Sequence, residues 1–137
     1  MTEFKPLDDK TLVAGQISLA DLAEAKRYGV TMVINNRPDG EDAGQLTSAE
    51  LEAEADRLGL DYRHIPIARG MGPSQIEEMV SAMSEVGDGK MLAFCRSGMR
   101  STLAWAVACR ENGVPREDVE RCAEQAGYSL GAVEHLL

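Results

Sequence analysis

The residues best suited to chemistry in this chain stand together as Cys95-Arg96-Ser97-Gly98-Met99-Arg100-Ser101. They follow directly on the apolar run Met91–Phe94 and lead into a helical pattern from Thr102. A thiol at the carboxyl end of a buried strand, with the chain turning at once into a helix, has amide N–H groups converging on it. Such donors, the positive end of a helix dipole and neighbouring guanidinium groups lower a cysteine pKa from ~8.5 to roughly 3.5–7.5, which makes the thiol a nucleophile at neutral pH. Gly98 admits a loop conformation closed to other residues. A cysteine behind an apolar run ordinarily packs as a small hydrophobe, yet the residues that follow this one are residues no core accommodates. The reading therefore makes Cys95 the nucleophile, with Arg100 and Ser101 as catalytic partners and Arg96, Ser97, Gly98 and Met99 as the anion-binding loop. Cys109 and Cys122 lie on helical patterns among alanines with no basic cradle, and are assigned to packing.

The elements that must position this loop are legible from periodicity. Phe4 to Gln16 holds one or two edge strands. Ser18 caps a helix that Gly29 stops, and Val30–Ile34 is a β-branched buried strand. NNRPDGEDAGQ, residues 35–45, is a long polar loop. Thr47-Ser48-Ala49-Glu50 offers a capping box for a helix ending near Gly59. Leu60 to Ile67 reads as a third strand closed by Pro66. Pro73 and Ser74 start a helix with Ile76, Met79, Val80 and Met83 on one face, and Gly87-Asp88-Gly89 turns the chain into Met91–Phe94. Helices follow over Thr102–Asn112, from Pro115 at a first helical position to about Ala126, and over Leu130–His135. Strands alternating with helices predict an α/β fold, a mainly parallel central sheet flanked by helices, with a small helical bundle toward the C-terminus. In such a sheet small ligands bind at the carboxyl ends of the strands, where Cys95 stands.

A chain of 137 residues fits one domain, residues 1–137, with a core that needs no staples. No apolar run approaches a membrane span, and the Met-Thr-Glu-Phe-Lys start lacks the hydrophobic segment of a signal peptide. Three cysteines without a CxxC pair point to a reduced, cytoplasmic setting. The net charge of −9 argues against nucleic acid and anionic membranes as partners. Arg37, Arg63, Arg69, Arg96 and Arg100 nevertheless fall in or beside the central strands and loops. They form a local positive site for a small anion, or they pair with surface carboxylates. Arg37 lines the substrate entrance or makes an ion pair with Asp39 or Glu41. Two histidines and scattered cysteines give no metal-ligand spacing, and no cofactor is expected.

Val33-Ile34-Asn35-Asn36-Arg37-Pro38-Asp39-Gly40-Glu41, His64-Ile65-Pro66, Phe94-Cys95-Arg96-Ser97-Gly98 and Ala126-Gly127-Tyr128 together resemble the phosphatase-like domain of the β-lactamase-hydrolase-like proteins, over nearly the whole chain. CRSGMRS by itself resembles the active-site loop of single-domain rhodaneses and the shorter of the cysteine-phosphatase loops. The resemblance implies a protein-tyrosine-phosphatase-like fold and an activity described as phosphatase or sulfurtransferase. It also implies a domain that occurs alone or fused to a metallo-β-lactamase-type sulfur dioxygenase, which is then the expected partner.

Spacing and acid placement favour sulfur in this reading. Phosphatase loops are similar to one another in a Cys-x5-Arg pattern, whereas here the arginine falls one residue early, at Arg100, and Ser101 takes its place. A shorter loop is expected to narrow the ring of amides and to suit one sulfur atom better than a phosphoryl group. A phosphatase also needs a general acid, and Ile65-Pro66-Ile67-Ala68-Arg69-Gly70, where that acid is expected, has no carboxylate. Asp39 or Glu41 could serve only by folding over the site. The expected activity is therefore a rhodanese-like sulfurtransferase. Cys95 takes sulfur from thiosulfate or a small persulfide, Arg96 or Arg100 stabilises the departing anion, and a thiol acceptor such as glutathione removes the sulfur. Ser101 hydrogen-bonds the thiolate, braces the loop or caps the helix. The alternatives are a phosphatase-like hydrolase with Cys95 as nucleophile and a non-catalytic anion- or persulfide-sensing module serving the dioxygenase.

Overall fold

The computed structural model describes residues 2–137. Its strands are β1 (Lys5–Asp8), β2 (Thr11–Ala14), β3 (Val30–Asn35), β4 (Asp61–His64) and β5 (Lys90–Phe94), in one sheet of order β1-β2-β5-β3-β4. β1 runs antiparallel to β2, and every other neighbouring pair is parallel. The sheet is mixed and mostly parallel. Only β1 of the two N-terminal strands is an edge; β2 lies inside, against β5.

Side-chain alternation along the central strands divides the core in two. Leu92 and Phe94 of β5 face α1 (Leu19–Arg27) and α2 (Ser48–Leu58), packing with Leu22, Ala25, Leu51 and Ala55. Met91 and Ala93 face α3 (Pro73–Glu85), α4 (Met99–Glu111), α5 (Arg116–Gln125) and a terminal 3-10 segment, Gly131–Leu136. The expected helical group on one side is this second layer. α4 is its centre: every residue from Ser101 to Cys109 is buried. Local signals set the helix starts, Ser18 and Asp21 exchanging the two bonds of a capping box and Thr47 Oγ1 accepting the Glu50 N–H at 3.1 Å.

The register of the parallel strands matters most for function. Ala14, Phe94, Asn35 and His64 are cross-strand partners in one line at the carboxyl ends of β2, β5, β3 and β4. The loops leaving all four strands therefore start side by side.

Several boundaries differ from the sequence expectation. α4 begins at Met99 rather than Thr102, because Gly98 takes the N-cap with φ +92°. The loop after β5 is thus only Cys95 to Gly98, and Arg100 and Ser101 belong to the first helical turn. β4 stops at His64 instead of Ile67. Pro66 has no N–H for the ladder, although Ile65 and Ile67 still donate to the Asn35 and Asn36 carbonyls at 2.9 and 3.0 Å. Pro115 is the N-cap of α5 rather than its first residue, and the last turn is 3-10 instead of α. Among the described residues no helix is long and apolar enough to cross a membrane.

Candidate active site

Cys95 sits one residue beyond β5 and is fully buried. Its amide continues the sheet by donating to the Ala14 carbonyl at 3.4 Å. The loop carbonyls that follow are claimed from outside the turn. Arg96 O accepts the Gln16 N–H at 3.2 Å, Ser97 O accepts the Tyr128 hydroxyl at 3.0 Å, and Gly98 O accepts both the N–H and the Oγ1 of Thr102, at 3.0 and 2.8 Å. A trans peptide points its N–H opposite its carbonyl. Drawing the Arg96 and Ser97 carbonyls outward therefore turns the next amides inward, and the Gly98 N–H reaches Cys95 Sγ at 3.2 Å. Gly98 cannot be replaced cheaply, since a Cβ there would overlap the Tyr128 hydroxyl. Gly15 has the same close fit, its missing Cβ lying 2.9 Å from Arg96 O.

Arg100 reaches across this loop from the first turn of α4. Its NH1 donates to Ile67 O at 2.7 Å and to Glu41 Oε2 at 2.8 Å, and its NH2 donates to Glu41 Oε1 at 2.9 Å. Glu41 raises the Arg100 pKa, and Cys95 beside the guanidinium adds to the effect. Although it falls one residue early in the sequence, the arginine thus reaches the loops that leave β3 and β4 from the first turn of α4.

Glu41, which the sequence offered as a partner of Arg37 or as an acid folded over the site, and Asp42, which it did not single out, both lie at the cysteine loop. Residues 35–45 fold back over the cysteine loop. Arg37 Nε donates to Glu41 Oε1 at 2.9 Å, its NH1 to Gln16 Oε1 at 2.9 Å and its NH2 to Asp42 Oδ2 at 2.6 Å. Arg100, more than Arg37, holds the Glu41 carboxyl down at about 2, against a burial effect that works the other way. The Arg37–Glu41 pair is one of the two that the sequence offered, whereas no local pattern marks Gln16 as a partner of Arg37 or Glu41 as a partner of Arg100, because those contacts join separate loops.

The remaining expected residues fall as follows. Arg37 is only 3% exposed and each of its guanidinium nitrogens already has a partner, so it does not line an entrance. Its ion pair is with Glu41 and Asp42, while Asp39 accepts the Ser48 N–H at the start of α2. Arg96 is exposed and lies 3.4 Å from Asp42. Ser97 Oγ accepts the Met99 N–H at 3.3 Å, and the Met99 side chain is exposed. Ser101 is buried with its hydroxyl unpartnered, so the expected bond to the thiolate is not made here. Burial pushes the Cys109 thiol up to about 12, as a packing role demands. His64 offers a ring nitrogen 2.9 Å from the Arg37 carbonyl.

Residues 3–111 match the family model described as the phosphatase-like domain of β-lactamase hydrolase-like protein. A β-lactamase hydrolase-like protein of Agrobacterium fabrum is 28% identical over 135 residues, which are 96% of this chain but 31% of the relative. The chain spans about a third of the length of the curated relatives it matches. Among solved structures, a Neisseria meningitidis protein provisionally designated a phosphatase superposes with a TM-score of 0.79 at 27% identity, over 97% of this chain and 95% of that one. The PTP-2 phosphatase of Cydia pomonella shares the fold, with a TM-score of 0.75 at 15% identity over 100% of this chain and 89% of that one. These matches carry phosphatase descriptions and lend no support to the sulfurtransferase expectation. The chain belongs to the family of phosphatase-like domains of the β-lactamase hydrolase-like proteins.

Proposed function

We propose that this domain is a cysteine-dependent phosphatase acting on phosphate monoesters. The observation that carries the reading is the two-point grip of Arg100 on the Glu41 carboxylate, at 2.8 and 2.9 Å, from the first turn of the helix that follows the Cys95 loop. A guanidinium that already holds two oxygens of an anion in its fork is arranged to hold an oxyanion, as the phosphoryl oxygens of an ester require. In the reaction, Cys95 thiolate attacks phosphorus and the ester oxygen leaves. The inward amides and Arg100 hold the phosphoryl oxygens as charge builds. Water then cleaves the phosphocysteine, and the buried, unpaired Ser101 hydroxyl is available to the departing thiolate.

Sulfur transfer is the second reading, favoured by the short loop from Cys95 to Gly98. In that case thiosulfate or a persulfide is the donor, a thiol such as glutathione the acceptor, and a sulfur dioxygenase the partner. One experiment separates the two. Wild type and Cys95→Ser are each given p-nitrophenyl phosphate and, in parallel, thiosulfate with cyanide. The phosphatase reading expects nitrophenol release that falls by at least about a thousandfold in the variant, and a phosphocysteine trapped by acid quench. Thiocyanate formation without nitrophenol release would overturn it.

A further inference from the structure

We propose that Glu41 is the general acid and base of this reaction, a carboxylate that the substrate anion displaces from Arg100. The proposal rests on the phosphatase reading. An alkoxide or phenoxide leaving group needs a proton, and the loop after β4, residues 65–72, has no carboxylate to give one. The other candidates near the cysteine loop are committed elsewhere. Asp39 accepts from the start of α2, Asp42 is shared between Arg37 and Arg96, and His64 sits at the Arg37 carbonyl. Of these four groups, Glu41 is the one that touches Arg100.

Its position explains both how it is stored and how it is released. The carboxylate occupies on Arg100 the two donors that a phosphoryl group would use. Gly40 and Gly44, each with φ +76° and nothing near a would-be Cβ, bracket Glu41 to Ala43. The short segment can swing at these two points without moving the strands. The groups facing the carboxylate are Arg37 from its own loop and Arg100 from α4, with Asp42 and Arg96 adjacent. Arg100 is the larger cause of the depressed Glu41 pKa. When a phosphoryl dianion takes that guanidinium, the cause is lost and a negative charge arrives. Both changes favour protonation of the carboxyl.

The proton comes from solvent or arrives on a monoanionic ester. As the sulfur–phosphorus bond forms and the phosphorus–oxygen bond breaks, Glu41 gives its proton to the leaving oxygen and the alcohol departs. The resulting carboxylate takes a proton from water as that water attacks phosphocysteine. Cys95 thiolate and inorganic phosphate are regenerated, and the net reaction is hydrolysis of the ester.

The test measures kcat/KM for wild type, Glu41→Gln and Glu41→Asp on dinitrophenyl phosphate, whose phenoxide leaves without help, and on phenyl phosphate, whose phenoxide does not. Glu41→Gln should lose about 10²–10³-fold on phenyl phosphate and less than about threefold on the dinitrophenyl ester. Glu41→Asp, which retains the acid, should recover part of the loss on phenyl phosphate. Inorganic phosphate should inhibit Glu41→Gln more tightly than wild type, since a neutral amide competes less for Arg100. Equal losses on both esters would show that Glu41 only positions Arg100, and unchanged rates would make it a bystander; either result overturns the proposal. Hydrolysis of neither ester by wild type would instead remove the phosphatase reading, and this inference with it. A melting curve for each variant separates loss of chemistry from loss of fold.

Discussion

Two loops at the same sheet edge are held in opposite ways. The cysteine loop is fixed by neutral partners on its backbone: Ala14 O, Gln16 N, the Tyr128 hydroxyl and Thr102. The acidic loop over it has neutral bonds as well, at Asn35, Gln45 and His64, but adds a layer of charge, with Arg37 gathering Glu41 and Asp42 and Arg100 gripping Glu41 from outside. Backbone bonds to neutral groups are indifferent to a passing anion and to salt. Ion pairs at a partly exposed site are not. On the proposed reaction, the nucleophile thus belongs to the part held by neutral bonds, and the carboxylate that exchanges partners to the part that an anion can rearrange.

Breaking the rigid side should have the largest effect. Gly98→Ala places an L-residue at φ +92° and drives its methyl into the Tyr128 hydroxyl. The conformational cost of roughly 1–2 kcal/mol and the overlap together should reach about 3 kcal/mol, read from denaturant unfolding. Turnover should fall as well, because the Ser97 carbonyl loses its anchor. Adding Tyr128→Phe should recover part of the stability by removing the hydroxyl struck while keeping the ring in the core. A Gly98→Ala variant as stable as wild type would show that the loop yields, and the contrast between the two loops would go.

The charged side gives a smaller and different response. Arg37→Met leaves Glu41, Asp42 and Gln16 without their common donor. The carboxylates can still turn to water, so the expected loss is about 2 kcal/mol rather than the larger figure for a fully buried pair. Substrate affinity should change more than stability does, because Glu41 is then held by Arg100 alone. Unchanged KM with unchanged stability would mean that the acidic loop keeps its shape without Arg37.

This division also explains what the sequence could reveal. The strands, the caps at Ser18 and Thr47 and the placing of Cys95 at the end of β5 follow from local periodicity and local hydrogen-bond chemistry, which act within a few residues. The start of α4 was less visible. Arg100 and Ser101 look like loop residues until Gly98 is seen to supply the cap. The partners of Arg100 were not legible at all, since Glu41 and Ile67 meet it only after three loops leave the sheet in register. A spacing argument counted along the chain from Cys95 pointed toward sulfur, and the contacts of Arg100 with Glu41 and Ile67 lie outside the reach of such a count.

The smallest expected effect bears most directly on the charged loop. Glu41 has a folded pKa of about 2 against an ordinary value of 4.5. A depressed carboxyl stabilises the folded state above its unfolded pKa, so the contribution is complete above pH 4.5 and is lost as pH falls toward 2. The side chain is 28% exposed, and screening by water reduces the contribution to about 1 kcal/mol. The melting temperature of wild type should then exceed that of Glu41→Gln by roughly 2–5 °C near neutrality, and the gap should close in acid. The other carboxylates titrate in both proteins, so the difference isolates this one. Added salt should narrow the gap at neutral pH, and phosphate should do so at lower concentration than chloride because it competes for Arg100 itself. A gap independent of pH and of the anion would place Glu41 in the rigid framework with Tyr128, and the acidic loop could not be the part that moves.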